Sequence, residues 1–145
     1  MDDKLMSQLE MLDECLNLLE QIQKKTLEEY LEDKILQGAA ERYLQIAIET
    51  RLNIGNRILS LYQLKYGNIK APKTYADVFT TLALIKVIPE DFAKKLVEMA
   101  GMRNLLVHVY WEINDELVYR TIQSELDDFR KFRAYVMSFL KEENL

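Results

Sequence analysis

The sequence has few of the residues that interrupt regular structure. Four glycines and two prolines among 145 residues leave little material for the turns of an all-β protein, so the chain reads as helical. A single cysteine, Cys15, excludes an internal disulfide. With Leu12, Leu16 and Leu19 around it, it reads as a core residue in a reducing cytoplasm. One histidine, far from that cysteine, leaves no ligand set for structural zinc. No stretch resembles a signal peptide, and no apolar run is long enough to span a membrane. A cytoplasmic protein without membrane attachment is expected. Glycine-rich phosphate loops and the Gly-x-Ser-x-Gly elbow are absent. Clustered carboxylates for a two-metal site are not evident, so no metal and no cofactor are expected. The net charge of −5 argues against broad, unspecific nucleic-acid binding. Any RNA contact has to come from a local basic patch.

What is present is helical periodicity. Leu5, Leu9, Leu12, Leu16 and Leu19 step by four and three, a stripe that packs on one or two neighbours. Asp2 and Asp3 suit the start of that helix. Thr26 with Glu29 forms a capping-box pattern for a short helix through Asp33. From about Lys34 to Leu64 the apolar face is too wide for a surface helix, so this long helix is the expected central post. Asn53 and Asn56 interrupt that face and read first as a satisfied polar contact between helices, with a cleft wall or dimer contact as alternatives. Gly55 allows another backbone to approach. Tyr66 to Lys73 is the clearest loop, with Lys65, Lys70 and Lys73 as positive charges. Thr74 and Asp77 suggest a second capping box before a helix to about Ile85. A further helix is expected from Pro89 to about Val109. A last one, capped by Asn114 or Asp115, carries Val118, Ile122, Phe129, Phe132, Val136 and Phe139. The expected fold is one all-α domain, residues 1–145, an up-and-down bundle of about five or six helices.

The chemistry concentrates in one stretch, Arg103-Asn104-Leu105-Leu106-Val107-His108-Val109-Tyr110. Phe92, Leu96, Met99, Arg103, Leu106 and Tyr110 form a packing seam in which an arginine and a tyrosine replace hydrocarbon. A buried guanidinium without a partner is costly, so Arg103 needs a carboxylate, a wet cleft or an anionic ligand. At about 100° per residue, Tyr110 lies within about 20° of Arg103, while His108 lies about 140° away. Asn104 shares the face of His108. One ligand reaches Arg103 and His108 together only if the helix loosens there or a second copy contributes. Taken singly, each residue reads most simply as structural: a core histidine, an ion-paired arginine, a packing tyrosine. Clustered in eight otherwise apolar residues, they read as a site.

Arg103-Asn104, His108 and Tyr110, in the pattern Arg-x4-His-x-Tyr, resemble the signature of the HEPN superfamily, and of its HepT-like toxin branch in particular. The stretch from Glu41 to Glu49 followed by Asn53-Ile54-Gly55-Asn56 is similar to the family's central helix. Thr74-Tyr75-Ala76-Asp77-Val78-Phe79 is similar to its next helix start. This resemblance implies a symmetric homodimer with two motifs at a shared cleft. It implies an endoribonuclease toxin of a type VII-like toxin–antitoxin pair, with RNA as substrate and a minimal nucleotidyltransferase as antitoxin. It also implies silencing by AMP transfer to the motif tyrosine, here Tyr110. The residue types suit metal-independent RNA cleavage: Arg103 for the phosphate, His108 for proton transfer, with Asn104 and Tyr110 in support. The alternative is a non-catalytic substrate-binding partner of a minimal nucleotidyltransferase.

Overall fold

The computed structural model describes residues 1–108 and 114–145, with backbone alone over 103–108. Six helices follow one another: α1 (Asp3–Gln23), α2 (Leu27–Glu32), α3 (Lys34–Tyr66), α4 (Tyr75–Leu84), α5 (Glu90–His108) and α6 (Asp115–Glu143). Among the described residues there is no strand. The helix starts follow local chemistry. The Asp2 carboxylate accepts the Leu5 N–H at 2.9 Å, and Asp33 accepts that of Leu36 at 3.0 Å. Thr26 and Glu29 close a reciprocal capping box at 3.0 and 3.1 Å. Thr74 caps α4 through the Asp77 N–H. The second capping box is only half formed, because the Asp77 carboxylate accepts the Lys73 N–H instead. Asn114 caps α6 by accepting from Leu117 N–H at 3.1 Å.

At 33 residues, α3 is about 50 Å long and packs against each of the other five helices. It is the central post. The stripe Leu5, Leu9, Leu12, Leu16, Leu19 is buried, as are Cys15, Leu44, Ala47, Phe129 and Val136. The α5 seam is buried at Phe92, Leu96 and Met99, while the side chain expected next in the core, Leu106, lies outside the described residues.

Two expectations are corrected. Asn53 and Asn56 are exposed on α3 rather than bonded between helices. Gly55 makes room for side chains, not for a backbone. A Cβ there would stand 2.8 Å from Val78 Cγ1 and 3.1 Å from Leu82 Cδ1. This close approach seats α4 on α3 and sets where Tyr75, the first residue of α4, comes to lie.

Candidate active site

The motif's residues 103–108 occupy the end of α5. The backbone stays helical through His108, so the helix does not loosen ahead of the histidine. By register, Arg103 and His108 therefore remain about 140° apart on one helix. The side chains of Arg103, Asn104 and His108, and the whole of Tyr110, lie outside the described residues. The surroundings are defined by the elements on either side.

On the near side is Ala100, one turn before Arg103. It shares a cavity of about 10 Å³, the space of a single water, with Glu49, Arg51, Tyr75 and Phe79. Glu49 and Tyr75 are half-buried there. The tertiary fold thus brings a carboxylate from α3 and a phenol from the start of α4 to the helix turn that precedes the motif. On the far side the chain re-enters at Asn114 and Asp115. Asp115 is hydrogen-bonded to Glu41 of α3, whose carboxyl is pushed up by burial and by the neighbouring Asp115 charge. The two flanks of the motif therefore meet α3 at Glu49 and at Glu41, eight residues and about two turns apart. Beside that second contact lies Tyr30, fully buried, with a hydroxyl that finds no hydrogen-bond partner. Burial raises its pKa, and the charges of Glu41 and Asp115 add to the shift.

Arg51 is the residue that periodicity did not single out. It is 1% exposed. Its guanidinium lies 4.1 Å from the Phe129 ring centre and 5.9 Å from that of Phe79. Nε and Nη1 are buried without hydrogen-bond partners. Burial lowers its pKa to about 10, against the pull of Glu125 and Asp128. Glu125 is itself pushed up by burial and by Asp128. Asp128 is buried and pairs with Lys95 of α5 at 3.3 Å. Arg51 of α3, Glu125 and Asp128 of α6 and Lys95 of α5 itself thus form one group of interacting charges. In the sequence, Arg51 lies beside the apolar positions Ile48 and Ile54 with no local partner, and that mismatch was the one available signal. Among the described residues no group of His, Cys, Asp and Glu has the arrangement of a metal site.

Residues 12–136 match the family model described as ribonuclease HepT-like. The chain belongs to the HepT-like family. Within curated relatives it is 29% identical to the mRNA nuclease HepT of Shewanella oneidensis over 132 residues, covering 91% of this chain and 95% of that protein. It is 28% identical to the tRNA nuclease HepT of Aphanizomenon flos-aquae over 144 residues, covering 95% of this chain and 92% of the relative. Among solved structures it is similar to the tri-AMPylated HEPN toxin of Shewanella oneidensis in complex with its MNT antitoxin. There the TM-score is 0.82 at 28% identity, over 95% of this chain and 99% of the other. The all-α architecture of these HEPN proteins is the one seen here.

Proposed function

We propose that this protein is an endoribonuclease toxin of a HepT type that cleaves RNA without a metal ion and is silenced by a partner nucleotidyltransferase. The observation that carries the reading is the intact Arg103-x4-His108-x-Tyr110 sequence motif, whose Arg103 and His108 fall in the last turns of α5, in a chain matched to the HepT-like family over residues 12–136. Arg103 presents a planar, permanently charged fork to the scissile phosphate. His108 accepts the proton of the attacking ribose 2′-hydroxyl, or returns one to the leaving 5′-oxygen. Asn104, on the histidine's face, orients it. Tyr110 takes AMP from the antitoxin, and the added phosphodiester brings negative charge to the face of Arg103, where it competes with RNA phosphate. The functional unit is a homodimer in the cytoplasm. A straight helix directs Arg103 and His108 about 140° apart, so a common cleft needs groups from two copies.

The test is cleavage of RNA by purified protein in the presence of a chelator. Activity should persist, leaving 2′,3′-cyclic phosphate and 5′-hydroxyl ends. His108→Ala should lower it by about 10²–10⁴-fold. Wild-type cleavage by His108→Ala, or a strict need for added magnesium, would reject the mechanism. Tight binding of a nucleotide or RNA without any cleavage would favour the substrate-binding alternative.

A further inference from the structure

Beyond the single-water cavity at Ala100, the surface between α3 and α4 opens into larger basins. Tyr75, which lines that cavity, also lines a second basin of about 370 Å³ with Asn56, Pro72 and Lys73. Asn56 and Pro72 in turn line a third, of about 650 Å³, that reaches Gln63 and Lys70. The second and third basins share Asn56 and Pro72 and together form one groove, with Tyr75 at its end nearest α5. Its floor is a single face of α3: Asn56, Ser60 and Gln63 follow at helical spacing over about 10 Å. Its opposite wall is the loop from 67 to 74.

That loop is held in place. Gly67 and Asn68 turn it sharply at φ +69° and +61°. Gln63 Oε1 accepts the Ile69 N–H at 3.0 Å, and Asp77 accepts the Lys73 N–H at 3.1 Å. The exposed ammonium groups of Lys70 and Lys73 have no carboxylate partner among the described residues, and no described Asp or Glu lines the second or third basin. In a chain with 24 acidic against 19 basic residues, two joined basins lined by lysines and by no described carboxylate suit an anion. Lys65 does not belong to it, since its ammonium donates to the Glu143 carbonyl. The remaining lining suits a single strand. Asn56, Ser60 and Gln63 offer hydrogen-bonding groups, Leu64 stands 83% exposed, and the half-buried Tyr75 adds an aromatic ring to the lining. Cationic groups that track phosphates beside apolar and aromatic surfaces for bases are the usual elements of single-strand binding.

We infer that this groove carries the single-stranded RNA flanking the scissile phosphate, with Lys70 and Lys73 on its backbone and Tyr75 at its end nearest α5. The inference rests on the ribonuclease reading for its substrate, but it concerns binding. It is tested with the full chain carrying His108→Ala and a labelled oligouridylate, by anisotropy over a salt series. Lys70→Glu with Lys73→Glu should weaken binding by about tenfold or more and reduce the salt slope by about 1.4, the share of two phosphate contacts on a single strand. Lys34→Glu, exposed at the start of α3, controls for net charge and should change binding little. In the cleaving protein the same double reversal should raise KM and spare kcat. Unchanged oligouridylate affinity and KM would overturn the assignment and leave the ribonuclease reading standing. Loss of oligouridylate binding in a protein that never cleaves RNA would uphold the groove and reject the catalytic reading. If reversal spares RNA but abolishes capture of the nucleotidyltransferase, the groove belongs to a protein partner and the inference is wrong.

Discussion

Arg51 shows how much of this core depends on one side chain. A guanidinium is normally held by carboxylates or water, yet here two of its nitrogens lack partners and the faces of Phe79 and Phe129 flank it. Cation–π attraction offsets part of the desolvation cost, which is several kcal/mol for a buried ion. Glu125 and Asp128 supply charge at longer range. A methionine fills similar volume and carries no orphan donors. Arg51→Met should therefore leave stability unchanged or raise it by about 1–2 kcal/mol, measured by chemical denaturation. Arg51→Ala loses the packing between the rings and should be the less stable of the pair. A large loss in the methionine variant, equal to that of alanine, would show that the charge itself holds α3, α5 and α6 together.

At the scale of elements, the attachment of α1 to α3 depends on Asp2 as well as on the leucine stripe. Its carboxylate caps α1 and accepts two hydrogen bonds from Arg57, at 2.6 and 2.9 Å. Those bonds, with the Leu5 N–H, lower its pKa from 3.8 to about 2. Because the folded value lies below the unfolded one, the stabilisation is fully present above about pH 4 and is lost as pH falls toward 2. Asp2→Asn should lower Tm at neutral pH, and the gap to wild type should close between about pH 4 and pH 2. A gap that stays constant across that range would mean the charge is not what ties the helices. Capping explains why the element boundaries were readable: Thr26, Thr74 and Asn114 act locally, through the next three residues. The half-formed box at Thr74 is the exception. Asp77 had two N–H groups within reach, and only the path of the loop decided which one it took.

At the scale of the whole molecule, the unbroken course of α5 has a consequence for assembly. If each site takes Arg103 from one copy and His108 from the other, two defective chains can complement each other. Mixing Arg103→Ala with His108→Ala protein, after subunit exchange, should restore up to about a quarter of wild-type RNA cleavage, since half of the dimers are mixed and each retains one intact pair. Either variant alone should remain inactive. No recovery in demonstrably mixed dimers would place both residues of a site on the same chain.

Local pattern alone determined the class of this protein: few turn formers, four apolar seams at helical spacing, four cap residues and one Arg-x4-His-x-Tyr stretch that carried the family. These are interactions between residues three to seven apart, where an α-helix converts sequence distance directly into spatial distance. The tertiary structure decided what that period does not encode. It brought Glu49, Tyr75 and Ala100, from three helices, to one cavity. It buried Arg51 between rings from α4 and α6. It turned Asn56 outward into a groove, although the sequence pattern suggested a contact between helices. Each of these outcomes depends on how α4 settles on Gly55 and on which faces the long helices present to one another. Such packing choices rest on shape complementarity between distant segments, and no local repeat specifies them.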